Sequence, residues 1–152
     1  MYTIRKIFRF EMSHQLVTSY TKACHETLHG HSYVLELFLS SKSLNEDDMV
    51  IDFTKVKDLI GDYINTWDHC LVMSSKHPKE YLDILVKYNK NVKIVDYNPT
   101  AERMSKDIYS VINNILTTNT PNINVVKVRL HETTTGYAEY KVTNIITDIF
   151  SD

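Results

Sequence analysis

The stretch HGHSYVLELFLS, His29 to Ser40, decides the fold. Tyr33, Leu35, Leu37 and Leu39 share one parity, while Ser32, Glu36 and Ser40 take the other. Alternation of this kind belongs to an extended strand with one face on a core and one face open. A strand is therefore expected over residues 31–40. His29 and His31 stand just before it on the parity of the leucines. Its apolar face thus runs out into two imidazoles.

Working outward, residues 2–12 alternate in the same way, with Ile4, Phe8, Phe10 and Met12 opposed to Arg5, Arg9 and Glu11. His14 continues the apolar parity past Met12. Residues 15–30 show no period and read as a loop. SLNEDD (43–48) is turn material, and MVIDF (49–53) reads as a short strand. Phe53, Val56, Leu59, Ile60, Tyr63, Ile64 and Trp67 then recur at spacings of three and four, the stripe of an amphipathic helix. A weaker helix is expected from Pro78 to Tyr88, then a short strand over 92–95. NPTAERM opens the longest helix, with Asn98 as a cap, Pro99 in the first helical position, and a stripe of Met104, Ile108, Val111, Ile112 and Ile115. Two further strands are expected at about 123–132 and 137–146. In the first, Val126, Val128 and Leu130 share a parity that ends on Glu132. The order predicts an α+β protein: one domain over 1–152, an antiparallel sheet with helices on one face.

The chain has 152 residues, 43% of them hydrophobic, 24% charged, and a net charge of −2. That length supports one core. The charge balance gives no reason to expect a nucleic-acid partner, and no apolar run approaches a membrane span. Two cysteines in an unsignalled chain point to free thiols and a cytoplasmic setting.

Histidines two apart in an extended segment point the same way, so His29 and His31 make a compact pair of nitrogen donors around Gly30. His14, at a strand end on the core-facing parity, is the natural third. Three neutral imidazoles suit Zn²⁺ and leave a position open. Cys24 is either a fourth ligand, closing a structural Cys-His₃ site, or a thiol base or nucleophile beside an open one. His25 reads as a loop histidine. Glu26 reads as solvated, although its place in the loop makes it a rival base. Asp68 beside His69 in WDHC is a candidate proton shuttle if a turn lets carboxylate and ring meet. Glu132 ends an apolar parity, where a carboxylate needs partners. It could accept paired N–H groups from an arginine or from an amidine-like ligand edge, as in guanine or pterin.

FEMSH, C…HGHSY, MVIDFTKVK, WDH, NPTAE and RLHET occur in this order across nearly the whole chain. Together they resemble the 6-pyruvoyl-tetrahydropterin synthase / 6-carboxy-tetrahydropterin synthase family. The resemblance implies the tunnelling fold, a four-stranded antiparallel sheet with two main helices on one face. Three sheets would close into a twelve-stranded barrel, and two trimers would stack into a homo-hexamer. It implies zinc on His14, His29 and His31, a catalytic Cys24, and an Asp68–His69 relay supplied across a subunit boundary. It also implies a pterin anchor at Glu132, with Thr100 and Glu102 nearby. The substrate implied is a small-molecule pterin triphosphate, 7,8-dihydroneopterin triphosphate. NPTAE resembles the bacterial branch, which releases triphosphate and acetaldehyde and leaves 6-carboxy-tetrahydropterin for 7-deazaguanine (queuosine) synthesis. The alternatives are the 6-pyruvoyl product, with the side chain retained, and a non-catalytic oligomeric module with a Cys-His₃ zinc. HETL separates Cys24 from His29 by one residue more than is usual in the bacterial branch and one fewer than in the animal branch. That spacing keeps Glu26 beside Cys24 as a candidate base. Lys127 and Arg129, on the parity opposite Glu132, are poor candidates for the triphosphate.

Overall fold

A computed structural model describes residues 1–142. Its elements run β1 (Tyr2–Gln15), α1 (Lys22–Glu26), β2 (His29–Ser41), α2 (Phe53–Asn65), β3 (Cys70–Ser74), α3 (Lys79–Tyr88), β4 (Val92–Val95), α4 (Ala101–Asn119), β5 (Asn124–His131) and β6 (Tyr137–Tyr140). The strands form one sheet in the order β4-β3-β1-β2-β5-β6.

β1 and β2 are longer than their periodicity indicates because they pair to their ends. Tyr2 lies opposite Ser41, Met12 opposite His31, and His14 opposite His29. β2–β5 and β5–β6 are also antiparallel, so four strands match the antiparallel expectation. The sheet nevertheless has six strands and is mixed. β3 runs parallel to β1 and β4 runs parallel to β3. CLVMS does not alternate because all five of its residues are buried, and a strand covered on both faces carries no period-2 signal.

The alternation of β1, β2 and β5 turns one sheet face toward α2 and α4. Leu35, Leu37, Leu39, Val128 and Leu130 meet Val56, Ile60, Met104, Ile108, Ile112 and Leu116 there, all fully buried. Each such aliphatic side chain contributes roughly 1.5–3 kcal/mol of burial. α1 and α3 bury no residue and lie outside this core.

Four local expectations are corrected. MVIDF is not a strand: Val50 and Ile51 are buried in a loop, and Asp52 caps α2 by accepting from Thr54 N at 2.6 Å. The 15–30 loop contains α1, and β2 begins at His29. Val126 is not on the core parity. A bulge opposite Phe38 and Leu39 hands the buried position to Val125 and leaves Val126 exposed. Thr100, not Asn98, caps α4, accepting from Arg103 N at 3.4 Å. Residues 143–146 of the expected last strand lie outside the described residues.

The sheet face opposite α2 and α4 is charged. Glu36, almost wholly buried, takes Arg5 at 2.7 Å, His131 at 2.7 Å and Arg129 at 3.4 Å. Burial works against its charged form, but His131, Arg5 and Arg129 outweigh it and hold the carboxyl below its ordinary range. Glu139 binds Arg129 at 2.9 Å and Lys127 at 3.0 Å. No helix among the described residues is long and apolar enough to cross a membrane.

Candidate metal centre and ligand pocket

The β1–β2 register that sets His14 opposite His29 also carries His31 to the same end of the helix-side face. Their ligand nitrogens all lie within 4.8 Å of one another. Gly30 eases a close approach between them, since a Cβ there would stand 3.2 Å from Met12 O and press on the neighbouring strand. His14 is 1% exposed, and its Nδ1–H donates to Pro99 O at 2.8 Å. His29 Nδ1–H donates to Thr27 O at 2.9 Å. A carbonyl only accepts, so both rings carry their proton on Nδ1 and present Nε2 to the cluster. Those two Nε2 atoms stand 3.1 Å apart. Two neutral rings would face lone pair to lone pair at that separation, and a shared cation removes the repulsion. Zinc–nitrogen bonds of about 2.0–2.1 Å in a tetrahedron imply nitrogens about 3.3 Å apart. His31 Nε2 is buried without a hydrogen-bond partner among the described residues. Burial lowers the pKa of His31, and the neighbouring His14 and His29 lower it further, against the pull of Glu132. The donor set thus suits a divalent metal, and the outer carbonyls orient it.

Glu132 lies directly past β5. Its Oε1 is 3.2 Å from His14 Nε2, 3.3 Å from His31 Nε2, and accepts from Tyr33 OH at 3.3 Å. Burial, reinforced by Glu132, pushes the Tyr33 phenol up. Beyond Glu132 lies a hollow of about 210 Å³, lined also by Glu102, Thr133, Gly136 and Tyr137. The Thr100 hydroxyl is engaged in capping α4.

Cys24 is half-buried in α1, and its sulfur is not among the clustered ligand atoms. Leu16 N donates to Cys24 O at 3.0 Å, and Gln15 Nε2 donates to His25 O at 2.8 Å. Tyr81 OH holds Gln15 Oε1 at 2.8 Å. His25 meets Ser19 Oγ through Nδ1 at 3.1 Å, and Glu26 is exposed. Asn98 Oδ1 accepts from Val17 N at 2.7 Å, and its Nδ2 donates to Thr18 O at 3.0 Å. Asn98 therefore clamps the loop before Cys24 instead of capping α4.

Asp68 and His69 do pair, Oδ2 to Nδ1, at 2.9 Å. The turn that allows it puts His69 at φ 53°, a left-handed backbone that non-glycine residues seldom adopt. The Glu11 backbone fixes both residues: its N–H donates to Asp68 Oδ1 at 2.9 Å and its C=O accepts from His69 N at 2.6 Å. The Glu11 N–H leads in lowering the pKa of Asp68, followed by His69. His69 is 80% exposed beside a cleft of about 430 Å³ that His31 also lines. Within one chain the pair makes no hydrogen bond to the three histidines among the described residues.

The site roles of Gln15, Tyr33, Tyr81 and Pro99 escaped the sequence reading, which places Tyr33 only on the core parity and Pro99 only in the first turn of a helix that in fact begins at Ala101. Only Tyr33 carried a signal, as the residue that follows the histidines on their own parity.

A six-stranded α+β sheet with three convergent imidazoles at one end, beside a carboxylate-lined hollow, defines a small protein built around a metal-competent histidine centre. Residues 3–143 match the family model for 6-pyruvoyl tetrahydropterin synthase, and the chain belongs to that family of tetrahydropterin synthases. It is 37% identical over 157 aligned positions to the 6-carboxy-5,6,7,8-tetrahydropterin synthase of Aquifex aeolicus, covering 91% of this chain and 96% of that one. Among solved structures, an uncharacterized protein of Wolinella succinogenes shares the fold with a TM-score of 0.77 at 17% identity, over 93% of this chain and 98% of that one. The Caenorhabditis elegans 6-pyruvoyl tetrahydropterin synthase does so with a TM-score of 0.68 at 21% identity, over 93% and 96%.

Proposed function

We propose that this chain converts 7,8-dihydroneopterin triphosphate to 6-carboxy-5,6,7,8-tetrahydropterin, with release of triphosphate and acetaldehyde. One observation carries the reading: a donor set of three imidazoles stands against Glu132, which also lines a hollow of about 210 Å³. The Aquifex relative supports the carboxy product over the pyruvoyl one.

His14, His29 and His31 hold zinc in this reading. The metal supplies Lewis-acid polarisation of the substrate's side-chain hydroxyls. Glu132 accepts the 2-amino and N3 hydrogens of the ring in this reading; Glu102 lines the same hollow, and Thr100, at the start of α4, is the further residue assigned to the ring. Cys24 takes a proton from the side chain. Asp68 fixes the His69 ring through Nδ1, leaving Nε2 to exchange protons. The exposed pair finds its place when subunits associate, which also covers the edges of β4 and β6, unpaired among the described residues. A trimeric barrel stacked into a hexamer answers both needs. Lys127 and Arg129 are occupied by Glu139 on the other face, so the triphosphate is held elsewhere. That Cys24 stands outside the ligand cluster favours an open metal over a closed Cys-His₃ module.

Incubation with dihydroneopterin triphosphate, followed by mass analysis of the pterin and an acetaldehyde assay, tests the proposal. A 6-pyruvoyl product without acetaldehyde would move the chain to the other branch. No turnover by zinc-loaded protein would remove the enzymatic reading.

A further inference from the structure

The helix that carries Cys24 has little of its own to hold it. α1 spans five residues, buries none of them and has no side-chain cap at its start. In a helix this short the last carbonyls find no partner inside it. Two of them, Cys24 O and His25 O, are met by donors from the end of β1. Leu16 N donates to Cys24 O at 3.0 Å, and Gln15 Nε2 donates to His25 O at 2.8 Å. A single bond is a pivot. The second fixes the turn of α1 about it, and so the direction of the Cys24 sulfur.

That second bond depends on a residue far away in sequence. His25 O can only accept, so the Gln15 amide must turn Nε2 to it and Oε1 away. Oε1 then needs a donor, and Tyr81 OH supplies one at 2.8 Å. Tyr81 stands in α3, which buries no residue in the core. Among the described residues this is the one side-chain hydrogen bond from α3 to another element. The His77 ring lies edge-on to Tyr81, centroids 6.0 Å apart, and its Nε2 meets Gln15 O at 3.3 Å. Gln15 is thus braced through both its side chain and its backbone. It also follows His14 directly, so one strand end places an imidazole of the histidine centre and, one residue on, the hold on α1.

We propose that Tyr81 and Gln15 form a positioning relay that orients the Cys24 thiol for proton transfer, with α3 acting on the chemistry through Gln15. The catalytic half rests on the function proposed above; the orientation of α1 does not.

Gln15→Glu, Tyr81→Phe and the double variant test it in the full chain. The first keeps the shape but turns an acceptor toward His25 O, and the second removes only a hydroxyl. With zinc bound, kcat on dihydroneopterin triphosphate should fall about ten- to a hundredfold in Gln15→Glu and by less in Tyr81→Phe, with KM and zinc content unchanged. The double variant should be no worse than Gln15→Glu, because Tyr81 acts through Gln15. In a Cys24→Ala background neither change should lower the residual rate further. Further loss there, or losses that multiply in the double variant, overturn the relay and leave a structural contact. Alkylation of Cys24 by iodoacetamide, followed by peptide mass, reads the orientation without turnover, and the buried Cys70 is the silent control. The Cys24 rate should rise at least about threefold in both single variants, as α1 opens locally. An unchanged rate in both overturns the proposal. Wild type that turns over no pterin substrate removes the functional reading, while the alkylation rates still decide whether Tyr81 and Gln15 hold α1.

Discussion

Cys24→Ala separates a reacting thiol from a ligating one, and the structure sets three expected magnitudes. Zinc stoichiometry should be unchanged, because the Cys24 sulfur lies outside the group of clustered ligand atoms. Stability should barely move. α1 buries no residue, and Cys24 is held through its backbone carbonyl, which alanine keeps. Losing one half-buried sulfur is worth about 0.5 kcal/mol, or roughly 1–2 °C in Tm. Turnover should fall by about 10²–10⁴, the usual contribution of a positioned acid or base. The assay is zinc by elemental analysis, Tm by calorimetry, and pterin product by mass, on Cys24→Ala and Glu26→Gln in parallel. An active Cys24→Ala beside an inactive Glu26→Gln would transfer the role to Glu26. Loss of zinc in Cys24→Ala would refute the open site altogether.

His29→Ala or His31→Ala should lose most bound zinc and all activity, because two imidazoles hold the metal poorly; stoichiometric zinc in both would sink the three-histidine centre. Glu36→Gln should cost about 2 kcal/mol at pH 7, the worth of hydrogen bonds to a charged group. The Glu36 carboxyl titrates below its ordinary 4.5 when folded, so its stabilisation is complete above that value and fades as pH falls through the folded pKa. The Tm gap between wild type and variant should therefore close in acid, and a gap constant down to pH 3 (roughly) would exclude the mechanism. Small-angle scattering should return a trimer or hexamer; an active monomer would contradict both the barrel and the shared relay.

The helix-side face of the sheet was legible because β1, β2 and the far half of β5 turn apolar residues to the helices and polar ones to the other face, which writes a period of two into the sequence. β3 was not legible, because CLVMS is buried on both sides and five residues are too few to separate a strand from a helix turn. The histidine triad was readable because it continues that same alternation past the core, through Met12 to His14 and through Tyr33 back to His29. Asn98 misled for a chemical reason. A side-chain amide before a helix suits a cap, but here the same group reaches residues 17 and 18, some eighty positions away. Proximity of that range leaves no periodic trace. Glu132 was found by parity, yet its approach to the histidines depends on side-chain torsions that no pattern encodes.

The bond from His14 to Pro99 joins residues 85 apart in sequence, whereas His14 and His29 are 15 apart and share one hairpin. The metal centre is therefore assembled in two generations. The β1–β2 hairpin, a local structure that closes fast, already brings all three imidazoles together. The carbonyl that locks the His14 tautomer, and the carboxylate beside it, arrive only when α4 and β5 dock. A refolding chain should capture zinc weakly at first and tighten its hold later, and the native state alone gains the full stabilisation, about 4 kcal/mol at a thousandfold excess over Kd. Stopped-flow refolding against a zinc indicator dye should resolve the two phases. Capture in a single step, coincident with final folding, would mean that the hairpin does not hold the metal by itself.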